Sequence, residues 1–348
     1  MKKSQFLLIM AALSAVLFLS VFAAICYGTV SLPYSIVWQT FINEFSTDKQ
    51  FIYGTITPIH DIIWLLRIPR VLLAICVGAG LSICGVVMQA IVKNPLADPY
   101  ILGVSAGASL GATVAILLGT GLLLGENFVG IAAFLGAFLV SLSVVSISNV
   151  KGKSNSIKLL LAGMALNAVC SAFSSFIIYF ANNMEGMQTI VYWLMGSLSG
   201  AKWETLVFMY PVIFFATIFF CSQSRILNLM LMGDETSLTL GYRLHIYRQV
   251  YLLLSSLMVG LIVSASGIIG FVGLLIPHVV RLFVGTDHKR LLPAAALVGA
   301  IFLIWADILC RIVIPKTELP IGILVAMVGA PCFVYLLVKK GYNFGGSN

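Results

Sequence analysis

The sequence predicts an all-α, polytopic membrane protein with about ten transmembrane helices, Gly-rich broken helices and both termini in the cytoplasm. Three observations predict it. Of 348 residues, 60% are hydrophobic and only 9% charged, against about 25% charged in a soluble domain. The apolar residues gather in runs of bilayer length. Lys and Arg are divided unevenly between the loops on the two sides. A chain this apolar cannot cover itself with polar surface, so lipid is its solvent. The net charge of +8 does not mark a nucleic-acid binder, because the basic residues sit in short loops and form no basic face.

The runs lie near 6–27, 68–92, 101–124, 128–149, 157–180, 204–222, 247–265, 268–285, 293–314 and 320–338. They are taken as one transmembrane domain over 1–348, since no low-complexity linker divides them. Met1-Lys2-Lys3 ahead of Phe6 to Tyr27 imitates a signal peptide. Its apolar run is about 20 residues, against about 7–15 for a signal h-region, and Ile25 before Cys26 makes a poor lipoprotein cleavage site. The run is read as a retained first helix. Between 28 and 66 lies the longest outer segment, with Glu44, Asp48, Asp61 and several aromatics, expected to rest partly on the membrane surface. The 68–92 run enters through Arg67-Ile68-Pro69-Arg70 and carries Gly78 and Ser82. Asn94-Pro95-Leu96-Ala97-Asp98-Pro99 then breaks the pattern, because proline removes a backbone donor and restricts its predecessor. Gly267, Gly270, Gly273 and Pro277 interrupt the runs between 260 and 285. These Gly-rich units, 78–111 and 260–285, hint at inverted halves. With the N-terminus inside, fourteen of the twenty Lys and Arg residues fall on the inner side, a positive-inside bias.

Small and polar residues supply the candidate moving parts. Gly103, Gly107 and Gly111 recur every four residues, so they share a helix face and admit a close neighbour. They act as packing, or with Asn94 and Pro95 as a gate. Gly163, Asn167, Ser171 and Ser174 also fall on one face; such a stripe either packs or lines a water-filled translocation path. Arg67, Arg70 and Arg311 oppose the charge bias near the outer surface. They either snorkel, with Asp307 pairing Arg311 at i,i+4, or dock an acidic partner. On the inner side Asp234 and Glu235 suit a helix start and Gly241 a helix stop, so a short helix in 223–246 is expected to meet a partner's groove.

Other patterns carry less. Gly103-Val104-Ser105-Ala106-Gly107 fits GxSxG, and with His278 it raises an intramembrane serine protease, but no strand precedes it. Gly152-Lys153-Ser154 lacks the first glycine of a phosphate loop, since position 147 is Ile147; the chain is not expected to bind ATP itself. The seven cysteines, Cys26, Cys76, Cys84, Cys170, Cys221, Cys310 and Cys332, lie in apolar runs without a CxxC pair and read as small buried hydrophobes. No metal site or cofactor is expected. A secondary transporter would place more ionisable residues at mid-membrane, where only Asp307 comes near.

In combination the motifs resemble the permease subunit of the iron-siderophore, haem and cobalamin ABC importers. The resemblance spans nearly the whole chain and rests on RIPR at 67–70, GVVMQAIVKNPLADPYILGVSAGA at 85–108, GFVGLLIPHVVRL at 270–282 and ELPIGILVAMVGAP at 318–331. TDHKRLLP at 286–293 and ADILCR at 306–311 also fit. It implies ten helices, a homo- or heterodimer of permeases with the path between them, two cytoplasmic ATP-binding subunits and an extracytoplasmic substrate-binding protein. It implies a non-enzymatic transport role in the bacterial cell membrane, with a ferric siderophore as cargo, or haem or cobalamin. Arg67, Arg70 and Arg311 match the family's docking arginines. Gly233, Asp234, Glu235, Leu238 and Gly241 fall in its ATPase-contact loop.

Overall fold

The computed structural model describes residues 2–45, 57–119, 127–150, 155–314 and 317–339. Among them every regular element is helical. The helices are α1 (Lys3–Cys26), α2 (Tyr34–Phe45), α3 (Thr57–Asp61), α4 (Ile68–Val92), α5 (Val104–Leu118), α6 (Phe128–Asn149), α7 (Ser156–Ala181), α8 (Met184–Leu194), α9 (Trp203–Ser222), α10 (Ser224–Met232), α11 (Asp234–Thr239), α12 (Leu244–Ser266), α13 (Val272–Val284), α14 (His288–Ile312) and α15 (Ile321–Lys339). Among the described residues seven helical stretches are long and apolar enough to cross a membrane; α5, α13 and the stretch Ile321–Tyr335 are apolar but shorter.

The fold is built around α4. A helix that is apolar on every side belongs in an interior, and α4 is buried from Val71 to Val92 almost without interruption. It packs against α14, α13, α12 and α9. Small residues set how closely. A Cβ added at Gly85 would stand 1.9 Å from the Gly273 carbonyl oxygen, and one at Gly78 2.2 Å from that of Gly299. The two Gly-rich units of the sequence therefore meet each other directly. On one flank, α5, α6 and α7 form a second layer joined to the core through α12. On the other, α1 lies along α14, with Leu7, Leu8, Phe18 and Leu19 exposed on its outer face.

Several elements depart from expectation. The 101–124 run yields a helix only from Val104. Pro99–Leu102 makes a 3-10 turn first, and Gly103 takes φ +80°, a left-handed conformation that suits glycine. The 28–66 segment contains α2 and α3, and α3 continues through a π-helical stretch, Ile62–Arg67, into α4. α8 was not expected at all. The single short helix of 223–246 is two, α10 and α11, hinged at Gly233 with φ +107°. The 260–285 break is confined to Gly267–Phe271, with Gly267 at φ +67° and Phe271 at φ +66°. Gly152-Lys153-Ser154 lies outside the described residues.

Candidate functional site

The two ends of the bundle differ in chemistry. At the end where α4 begins, three arginines gather near one buried carboxylate, and two of them bond to it. Asp307, only 1% exposed, holds Arg70 at 2.9 Å and Arg311 at 3.0 Å. The i,i+4 pair is therefore present, and a second arginine from α4 joins it. Arg70 also donates to Glu318, 2.9 Å away in the approach to α15. Arg67 is buried and donates through its guanidinium to the carbonyls of Ile25, Cys26 and Val30; Arg311 donates to the Ala24 carbonyl at 3.3 Å. The cluster staples the end of α1 and the start of α15 to α4 and α14. It carries three positive and two negative side chains, so one positive charge is left over. Of the three arginines, Arg67 and Arg311 are buried inside this chain, while Arg70 is the one whose ion-pair partner, Glu318, is itself open to solvent.

Beside this cluster the aromatic residues form a cap. Trp203 Nε1 donates to the Trp64 carbonyl at 2.9 Å, and the two indoles stand 6.1 Å apart. His60 lies 3.1 Å from Glu44 of α2 and stacks on Trp64. These contacts anchor the amphipathic α2, which the sequence left as a surface segment.

At the opposite end Lys93 closes α4 in a left-handed conformation, φ +57°. Its ammonium meets Asp234 of α11 at 3.1 Å, and Arg248 of α12 meets the same carboxylate at 2.8 Å. Burial alone would raise the Asp234 carboxyl, but Arg248 and Lys93 overcome it and hold it below its usual range. The link therefore contributes stability above the ordinary carboxylate pKa and loses it as pH falls through the lowered one. Ser237 is fully buried, its Oγ 2.7 Å from the Gly233 carbonyl, which fixes the elbow between α10 and α11. Gly241, at φ +85°, ends the segment, its N–H donating to the Leu238 carbonyl at 2.9 Å. Glu235 is exposed. Asn228 of α10 donates to Asp287 at 2.9 Å and lies 2.6 Å from the His288 ring at the start of α14. The pair α10–α11 is thus tied to α4, α12 and α14, while Met232, Leu238, Leu240 and Tyr242 remain exposed.

The loop after Lys93 is a folded turn. Asn94 Oδ1 accepts the Leu96 N–H at 2.9 Å, Pro95 is buried, and Asp98 Oδ1 accepts the Tyr100 N–H at 2.9 Å. Burial pushes the Asp98 carboxyl up to about 6 against that hydrogen bond. Gly107 and Gly111 face α6, where added Cβ atoms would lie 2.5 Å from the Gly136 carbonyl and 2.1 Å from that of Ala132. These two are packing positions. The stripe on α7 divides. Gly163 and Ser174 are buried, Gly163 beside Gly103, whereas Asn167 and Ser171 are exposed. At about 100° per residue, Ser174, Asn167 and Ser171 lie progressively farther round from Gly163, so the stripe follows the border between a packed and an open face.

Ser105 lies in the first turn of α5 and His278 in α13, two helices that pack on different neighbours. Among the described residues no three His, Cys, Asp or Glu side chains come together as metal ligands.

Comparison with known proteins places this arrangement. The model of the FecCD transport family matches residues 16–339. Over 281 residues the chain is 40% identical to the vitamin B12 import system permease protein BtuC of Salmonella typhi, covering 80% of this chain and 84% of that one. The same protein of Salmonella newport (strain SL254) matches to the same extent. A structure described as an inward-facing conformation of a metal-chelate type ABC transporter aligns with a TM-score of 0.82 at 33% identity, over 95% of this chain and 99% of that chain. PsaBC from Streptococcus pneumoniae shares the fold, with a TM-score of 0.50 at 14% identity over 77% and 89% of the two chains.

Proposed function

The chain belongs to the FecCD transport family, and from that premise we propose that it imports a large metal chelate by alternating access between two permease subunits. As a member of that family it is an ABC importer permease, a transport component rather than an enzyme, and a multi-pass protein of the bacterial inner membrane. Ten crossings, counting the three shorter apolar helices, bring both termini and the α10–α11 end to the cytoplasmic side. The positive-inside bias supports that orientation. The cargo is a ferric siderophore, haem or a corrinoid such as cobalamin; the name of the 40%-identical relative supports the last.

What carries the reading is the contrast between the ends. A substrate-binding protein docks on the arginine end, where charge complementarity sets register more than affinity. Two ATP-binding subunits each seat a groove on the exposed apolar side of α10–α11. Asp234 joins that element to both Lys93 and Arg248. A displacement of α11 is therefore felt at the end of α4, beside Asn94-Pro95, and along α12. The exposed Asn167 and Ser171 of α7 border the path.

The direct test measures uptake of ferric siderophores, haem and cobalamin in cells lacking this chain, with and without its re-expression. Loss and rescue for one cargo is expected. Unimpaired uptake of all of them, in a strain without a redundant importer, would overturn the cargo class.

Docking has its own test. Arg70 is partly open and shares its charge with the exposed Glu318, so an incoming carboxylate exchanges with Glu318. Arg70→Glu is expected to weaken binding-protein association about tenfold or more, the scale of one lost charge-assisted contact. Glu318→Gln is expected to leave association unchanged or strengthen it. Surface plasmon resonance on reconstituted complexes reads both, and equal weakening by both variants would remove Arg70 from the docking surface.

A further inference from the structure

We infer that α4 and α14 form one lever between the ATPase seat and the arginine end, gripped at its inner end by both arms of the α10–α11 elbow; the inference rests on the roles proposed above for those two ends. The grip of α11 is the bond of Asp234 to Lys93, which closes α4. The grip of α10 is Asn228. Its Nδ2 donates to the Asp287 carboxylate at 2.9 Å, and its Oδ1 accepts the His288 backbone N–H at 3.1 Å. A carboxylate only accepts and a backbone N–H only donates, so the orientation of this amide is fixed. The same Oδ1 stands 2.6 Å from the His288 ring Nδ1, which therefore carries the proton. Asp287 also accepts the Lys289 N–H at 3.1 Å. Asn228 thus completes the N-terminal cap of α14 from a different helix.

Above these grips the two helices are locked together. A Cβ added at Gly299 of α14 would stand 2.0 Å from Ser82 Oγ and 2.4 Å from the Gly78 carbonyl oxygen of α4. Ser82 Oγ is itself held by that carbonyl at 2.7 Å, so it sits wedged against Gly299 and fixes the register of the pair. At the far end Arg70 of α4 meets Asp307 of α14 at 2.9 Å. α14 is helical throughout its 25 residues, a length of about 37 Å, although Pro293 removes one N–H from its second turn. One arm of the elbow therefore holds each helix of a pair that is bonded again at its other end. A swing of the elbow about Gly233 displaces both helices, and Arg70, Asp307 and Arg311 move with them. Coupling of this kind is reciprocal: nucleotide in the ATPase subunits changes the affinity for the binding protein, and Asn228 is the positioning residue that conveys the change to α14.

The test uses the full importer with its ATP-binding subunits, reconstituted in lipid nanodiscs. Surface plasmon resonance measures the affinity of its binding protein without nucleotide and after trapping with ATP and vanadate. In the parent the two affinities are expected to differ about fivefold or more. Asn228→Leu is expected to bring them within about twofold of each other while the nucleotide-free affinity stays at the parent's. Asn228→Asp sets two carboxylates against each other and is expected to do the same. Exchanging the pair, Asn228→Asp with Asp287→Asn, re-forms the bonds: the amide at 287 donates to the carboxylate at 228, which accepts both His288 protons. The parent ratio is expected to return. If Asn228→Leu does not assemble, Asn228→Asp against the exchanged pair decides alone. A purely structural Asn228 would alter stability but leave the ratio of affinities intact. A parent ratio that persists in the single variants therefore overturns the lever, and so does a parent with equal affinities in both states. A parent that binds no binding protein overturns the docking assignment itself, and the lever with it.

Discussion

Asp307→Ala is expected to be the most destabilising single substitution at the arginine end, lowering unfolding free energy by about 3–5 kcal/mol. The carboxylate is 1% exposed and bonded to two arginines. Its removal leaves Arg311 buried with only carbonyl partners and Arg70 with Glu318 alone. An uncompensated buried charge, rather than the lost attraction, supplies most of the cost. The pairing can be separated from the burial. Arg311→Met in the Asp307→Leu background removes the stranded guanidinium and replaces both with apolar groups, which is often near neutral. The double variant is therefore expected to recover part of the loss, a coupling that a double-mutant cycle measures directly. Chemical denaturation of the purified permease in detergent checks it. Stability of Asp307→Ala within about 1 kcal/mol of the parent would show that Arg70 and Arg311 do not need this carboxylate.

The sequence carried α4 almost to the residue, because a long apolar run rich in small residues has one destination in a membrane chain and the arginines and Asn94-Pro95 bracket it. It also carried the Asp307–Arg311 pair, which is local. What it could not carry was Arg70 reaching Asp307 across 237 positions or Arg67 closing on the α1 carbonyls. A guanidinium at the rim reads the same whether it faces solvent or its own chain. Helices below bilayer length were the other loss. α8 has 11 residues and α3 five, too short for a run of membrane type; α8 packs on α5, and His60 of α3 stacks on Trp64. On α7 the polar stripe was legible as a face. Which edge of it packs depends on Gly103 and α5, and no spacing within α7 encodes that.

Leu238→Asp with Leu240→Asp is expected to abolish coupling while leaving the permease folded. Both leucines are exposed, at 62% and 55%, on an element that the rest of the chain holds rigidly through Ser237, Asp234 and Asn228. No described residue covers them, so changing them should alter the stability of the isolated permease by no more than about 0.5 kcal/mol, as for other open surface positions. In the proposed complex they seat in a partner's groove. Apolar anchors of an interface cost about 2 kcal/mol or more when lost, roughly thirtyfold in affinity per anchor, and a carboxylate adds desolvation. ATPase capture by the purified permease should fall by more than about a hundredfold, and uptake with it. Asp234→Asn asks a different question at the same place. It keeps the apolar surface but loosens the bonds to Lys93 and Arg248, so the ATPase subunits should still bind and hydrolyse ATP while transport per ATP falls. If the double aspartate variant assembles normally, α10–α11 is not the ATPase seat. If Asp234→Asn transports as efficiently as the parent, motion reaches the path by a route other than the Lys93–Asp234–Arg248 link.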